Sequence, residues 1–156
     1  PAAAVYIVDS FGALYSEQVR DLVKLYADIL KGTGKEIGFH PHNNMQLAFA
    51  NTIEAIICGA SRFDATINGL GRGAGNCPME LLIGFLHNPK FRLRPVLQAC
   101  RDVFVPLAKQ MDWGYSIPYA ITGRLNQHPR AAIKMRAGPT PDDYVSFYDQ
   151  IIEEVS

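Results

Sequence analysis

The chain has 156 residues, with 15 Lys+Arg balanced by 15 Asp+Glu. Zero formal net charge argues against nucleic acid as the main partner, because phosphate binding wants a basic excess. It also argues against a polybasic membrane anchor. Apolar residues make up 48%, enough to build a core, and no apolar run approaches the length of a membrane helix.

The first residues, PAAAVYIVDS, lack the positive n-region of a signal peptide. Three cysteines, Cys58, Cys77 and Cys100, form no C-x-x-C pair. An odd, unpaired set fits a reducing compartment, so a cytoplasmic location is expected. There is no initiator Met, and a strand-like run begins almost at once. The chain reads as cut from a longer one.

Residues 4–8, AVYIV, predict a buried parallel strand ending at Asp9-Ser10. Ser16 is the expected N-cap of a helix whose apolar stripe is Val19, Leu22, Val23, Tyr26, Ile29 and Leu30. It stops at Gly32-Thr33-Gly34. Glu36–His40 predicts a second strand and Met45–Cys58 a second helix. Arg62–Ile67 predicts a third strand, and Pro78–Leu86 a third helix after a glycine-rich loop. Three strand–helix units in a row indicate a parallel α/β sheet.

The remainder reads as helical. Val96 to Met111 mark one long helix that Pro106 can kink. Residues 117–137 are partly helical and interrupted at His128-Pro129. Tyr144 to Val155 mark a last helix after Thr140-Pro141-Asp142. The expected division is 1–90, a catalytic-domain part, and 91–156, a helical extension.

Chemistry concentrates in two stretches. In IGFHPHNN, residues 37–44, strand alternation puts His40 and His42 on the side of Gly38. Ile37 and Phe39 face the other way. The imidazoles sit at a strand's C-terminal end, where parallel α/β folds build their sites. Two imidazoles at i and i+2 are suited to one divalent metal; the competing reading is a chance His-x-His.

The second stretch is FDATINGLGRGAGNCPME, residues 63–80. Its glycines at 69, 71, 73 and 75 allow close backbone approach. A phosphate cradle is one reading, but the spacing matches no phosphate-loop pattern. A tight active-site turn is the other. Asn76 is either an N-cap or an oxygen ligand for a metal. Arg72 either pairs with a carboxylate substrate or is solvated. Asp9 and Ser10 close the first strand, where a side chain can orient a ligand or a ligating His. Asp9, Ser10 and Arg72 are therefore the candidate catalytic groups. Cys77, Trp113, Tyr115 and Tyr119 are read as packing residues, and His87 and His128 as structural.

The ordered motifs V-D-S-F-G-A-L, G-F-H-P-H-N-N and D-A-T-I-N-G-L-G-R-G-A-G-N-C-P-M-E resemble the C-terminal part of the DRE-TIM metallolyase superfamily. That group includes 4-hydroxy-2-oxovalerate aldolase, 3-hydroxy-3-methylglutaryl-CoA lyase and 2-isopropylmalate synthase. The likeness covers residues 5–86 and is nearest to the 4-hydroxy-2-oxovalerate aldolase type. The stretch at 113–133 departs from the well-studied pyruvate aldolases.

The resemblance implies a TIM barrel, here its last three βα units followed by C-terminal helices. It implies Mn²⁺ or Mg²⁺ held by His40 and His42, with Asn76 a ligand or neighbour. It implies C–C cleavage of a 4-hydroxy-2-oxo acid, with the metal as Lewis acid. The family's first-strand aspartate and arginine have no counterpart in this sequence. The third ligand is therefore expected in a missing N-terminal half, which becomes a required partner. The chain alone is expected to be inactive and to self-associate, with the C-terminal helices as the oligomer contact. Alternatives are a Claisen-type synthase, a phosphate-binding isomerase-type barrel and a non-catalytic interaction module.

Overall fold

The computed structural model describes residues 2–155. Three strands, β1 (Ala4–Asp9), β2 (Glu36–Pro41) and β3 (Arg62–Phe63), form one parallel sheet in sequence order. Between them run α1 (Ser16–Leu30) and α2 (Ala48–Ile57), and α3 (Met79–Leu86) follows the glycine-rich loop after β3. The register sets Ile7 beside Phe39 and Val8 beside His40. It also sets Gly38 beside Arg62.

Alternation sorts the two faces of this sheet. Ile7, Ile37 and Phe39 point to the helices. They pack with Val19 and Val23 of α1 and Ala55 of α2, and Phe39 is fully buried. Ala4, Tyr6 and Val8 point the other way. Val8 is 51% exposed, so β1 is buried on one face only, not throughout as the apolar run suggested. On that open face the Tyr6 ring lies across Gly38. A Cβ there would fall 2.5 Å from the ring, so only glycine fits beneath it.

Several boundaries depart from expectation. The N-cap of α1 is Tyr15, not Ser16. The Gln18 side chain accepts the Tyr15 N–H, while the Ser16 hydroxyl donates across to Asn51. Helix α2 starts three residues late because residues 43–46 form a turn. There Gln46 takes φ 60° and Asn43 Oδ1 accepts the Ala48 N–H. Strand β3 has two residues rather than six. The Ile37 and Phe39 carbonyls take N–H bonds from the β3 side, and Pro41, next on that side of β2, has no N–H to continue the ladder. Thr66 pairs instead with Pro78.

The expected long helix is broken. α4 (Leu93–Ala99) runs into a π-helical turn, Cys100–Phe104, and then a short α5 (Val105–Leu107). Pro106 removes an N–H from the i→i−4 ladder, and the wider turn absorbs the defect. Helices α6 (Ile117–Arg124) and α7 (Arg130–Arg136) flank the His128-Pro129 interruption, and α8 (Tyr144–Val155) follows. Phe147 and Ile151 of α8, Ala132 of α7 and Tyr119 of α6 bury a second core. Ala74 of the glycine-rich loop belongs to it. Among the described residues no helix is long and apolar enough to cross a membrane.

Candidate functional site

Three loops meet at the C-terminal end of the sheet, and main-chain bonds join them. The His42 N–H donates to the Asp9 carbonyl at 3.1 Å, tying the end of β2 to the end of β1. The Asn43 N–H donates to the Gly75 carbonyl at 2.9 Å. His42 and Asn76 form an isolated antiparallel bridge. The sequence thus brings His40, His42 and Asn76 together although 34 positions separate the second histidine from the asparagine.

The two imidazoles stand edge to face, with ring centroids 5.4 Å apart. His40 Nδ1 lies 3.0 Å from Asp64 Oδ2. That bond fixes the ring and leaves Nε2 free to face a ligand. Burial pushes the His42 pKa below the usual imidazole value, and the Arg72 and His40 charges lower it further. His42 is thus held in its neutral, electron-donating form. Asn76 donates its Nδ2–H to the Leu70 carbonyl at 3.1 Å, while its buried Oδ1 has no hydrogen-bond partner. A buried, orphaned amide oxygen is a donor atom in want of a cation or a hydrogen.

Asn76 is not an N-cap. Helix α3 (Met79–Leu86) is capped at Pro78, and Glu80 in its first turn accepts the Asn68 N–H.

The Asp9 carboxylate accepts the Ala13 and Leu14 N–H groups at 3.0 and 3.2 Å. Burial raises its pKa, and these backbone bonds oppose the rise. Asp9 is only 5% exposed, and its oxygens build the turn after β1. Gly12 follows at φ +59°, where a Cβ would lie 2.5 Å from the Asn44 nitrogen. Ser10 offers its carbonyl to Arg72 at 3.1 Å. Arg72 is exposed, and through that bond its guanidinium bridges the open end between the glycine-rich loop and the loop after β1.

Among the described residues, no set of three or more His, Cys, Asp or Glu side chains is arranged to hold a metal ion. The donors at hand are two imidazoles and one amide oxygen. That N,N,O set suits a divalent cation of intermediate hardness.

Sequence reading missed Asp64. It stands just past β3, and only the strand register, which sets Phe63 beside Phe39, brings it opposite His40. Sequence reading also missed how the helical extension holds the loop. The Trp113 indole N–H donates to the Asn68 carbonyl at 3.0 Å, and the Gly114 N–H to the Gly73 carbonyl at 3.0 Å. Of the aromatics read as packing, Tyr119 is buried, but Tyr115 is 63% exposed.

Cys77 is fully buried, and burial pushes its thiol up to about 11. It should therefore resist a disulfide reagent at pH 8 in the folded protein, since the thiolate is the reacting form. Thiol counting should find the partly exposed Cys58 and Cys100 first and Cys77 only after denaturation. Three equally fast thiols would contradict this burial.

The HMGL-like family pattern matches residues 1–103. 4-Hydroxy-2-oxovalerate aldolase 5 of Dechloromonas aromatica is 49% identical over 134 residues, covering 86% of this chain and 35% of that protein. The N-terminal domain of a proposed aldolase from Bacteroides vulgatus aligns with a TM-score of 0.73 and 38% identity, covering 83% of this chain and 43% of that one. An HMG-CoA lyase from Acinetobacter baumannii, solved with coenzyme A and 3-methylmalate, gives a TM-score of 0.58 at 25% identity, covering 74% and 40%. The chain spans about a quarter to a third of the length of the curated relatives it matches. The fold is α/β, a part of a TIM barrel. With two thirds of its length matched and with relatives that are aldolases, the chain belongs to the HMGL-like family.

Proposed function

We propose that this chain carries the metal-binding part of a divalent-metal-dependent aldolase that cleaves a 4-hydroxy-2-oxo acid, such as 4-hydroxy-2-oxovalerate, to pyruvate and an aldehyde. The observation that carries this reading is the meeting of His40, His42 and the unpartnered Asn76 oxygen at the C-terminal end of β2. Relatives bearing that aldolase name support the substrate class.

His40 and His42 would be the imidazole ligands, and Asn76 Oδ1 would be a third donor or a neighbour. A bound Mn²⁺ or Mg²⁺ would supply Lewis-acid stabilisation of the negative charge that develops on the 2-oxo acid. This chain's own residues do the rest of the local work. Asp64 orients His40. Asp9 holds the turn that receives the His42 N–H. Arg72, over the mouth, is placed to pair with the substrate carboxylate, and Ser10 positions Arg72 through its carbonyl. The further ligand and the arginine that polarises the keto oxygen would come from the remainder of the barrel. Residues 91–156 would form a distinct helical extension and the contact surface for self-association, and the protein would work in the cytoplasm.

The test is pyruvate release from 4-hydroxy-2-oxovalerate with Mn²⁺ present. Turnover is expected when this chain is joined to the N-terminal part of the same gene product, and none from the 156 residues alone. Failure of the joined protein to release pyruvate, with Mn²⁺ demonstrably bound, would reject the substrate assignment.

A further inference from the structure

The glycine-rich loop is poorly equipped to hold its own shape. Asn68, Gly69, Gly73 and Gly75 all take positive φ, at 55°, 61°, 63° and 85°. Glycines lose more freedom on ordering than other residues, so such a loop has many competing conformations. Within it, the Gly75 N–H donates to the Arg72 carbonyl and the Asn76 N–H to the Gly69 carbonyl. These bonds close the turn, and outside it the Asn43 N–H and the Glu80 carboxylate hold it only near its two ends, at Gly75 and Asn68.

The helical extension supplies external ties. Trp113 donates to Asn68 at the loop's start. Its indole also lies against Gly75, with Cδ1 3.7 Å from where a Cβ would stand. The next residue, Gly114, donates to Gly73. The Tyr119 ring closes over Gly73, 3.1 Å from where a Cβ would be, and packs with Ala74. The Arg136 guanidinium sits 5.1 Å above that ring and pairs with Asp112. The segment Asp112–Tyr119 thus grips the loop at its start, middle and end.

We propose that this segment is a clamp for the glycine-rich loop, with Trp113 as its positioning residue, so that the C-terminal helices set the conformation in which Arg72 and Asn76 are presented. The clamp rests on these contacts alone, and its consequence for metal affinity rests on the function proposed above. The extension is then a working part of the site, not an appendage to the barrel. The ligand it serves is the divalent cation at His40, His42 and Asn76.

The experiment compares the protein joined to the rest of its barrel with its Trp113→Phe variant, which keeps an aromatic ring and removes the N–H. Amide hydrogen exchange is followed residue by residue, and Mn²⁺ affinity is measured by calorimetry well below the unfolding temperature. Loss of one neutral hydrogen bond predicts exchange faster by about fivefold, confined to residues 68–76, and Mn²⁺ binding weaker by a similar factor. Trp113 is the only tryptophan of this chain, so once any tryptophan outside it is replaced by Phe, a second reading needs no change at Trp113. Mg²⁺ added to the unmodified protein should shift its emission and slow exchange at Gly114 and the loop together.

Unchanged loop exchange in the variant overturns the clamp, as does acceleration spread evenly over the chain. Faster loop exchange with unaltered Mn²⁺ affinity overturns its service to the cation site. If the unmodified protein binds neither ion, the metal reading fails by itself, and the exchange data still decide the clamp. Should Trp113→Phe not fold, an unmoved Trp113 emission on Mg²⁺ saturation overturns the coupling.

Discussion

Replacing both His40 and His42 by Ala should weaken Mn²⁺ binding by about a hundredfold or more, leaving the far-ultraviolet spectrum unchanged. The rings cap a strand end and do not fill a core, so their loss opens no large cavity. Neither histidine belongs to the buried hydrophobic clusters. Asp64→Asn is the informative companion. It keeps the size of the group that faces His40 Nδ1 and removes its charge. An expected loss of about tenfold follows, because a carboxylate fixes the tautomer and raises the basicity of the ring it holds. The measurement is calorimetry with the protein joined to the rest of its barrel. Binding that survives in the double variant would remove these histidines from the metal site. Equal behaviour of Asp64→Asn and the unmodified protein would leave Asp64 a surface partner only.

The second large effect lies in the backbone. Gly75→Ala should destabilise the protein by about 3 kcal/mol or more, lowering Tm by roughly 6–12 °C for a chain of this size. Gly75 has φ +85°, and a Cβ there would lie 2.2 Å from the Gly69 carbonyl oxygen. Left-handed geometry alone costs about 1–2 kcal/mol for a residue with a side chain. The clash is with main chain, so no side-chain rotation relieves it. Moving either strand of the turn would break the Asn76-to-Gly69 bond and displace the Gly75 carbonyl from Asn43. Gly34→Ala is the control. Gly34 also has positive φ, but nothing lies within 4 Å of its would-be Cβ. Its loss should be confined to the conformational cost. Thermal unfolding of the two variants side by side measures the difference, and equal shifts would show that the loop yields.

The periodic parts of the fold were legible in the sequence. Helix α1 declares itself by the stripe from Val19 to Leu30, and β1 and β2 by short apolar runs ending in polar pairs. The family resemblance rested on stretches where the backbone needs particular residues. What was not legible depends on distant partners. Nothing near Arg62 says that β3 ends after two residues, because the cause is Pro41 on the neighbouring strand. Nothing near Tyr15 says that Gln18 closes the α1 terminus while Ser16 turns to Asn51. The π-helical turn at Cys100–Phe104 lies ahead of its cause, Pro106. In the candidate site, His40, His42 and Asn76 were visible as residue types in a pattern. Asp64 and Trp113 were not, since each acts through a contact that spans 24 or 45 positions.

The stitching of the three site loops by main-chain bonds has an evolutionary consequence. His42 is held through its own N–H, and Asn76 through the bridge and the bond to Gly69. Their backbone spacing comes chiefly from peptide groups, which every residue except proline supplies, while the Trp113 segment steadies the rest of the loop. Side chains around the mouth, such as Arg72 and Ser10, can be exchanged without re-setting that spacing. Divergence of substrate preference within such a scaffold is then cheap, while drift in the glycines that let these strands approach is barred. Lineages built on it should explore new reactants by altering the rim long before they alter the cradle.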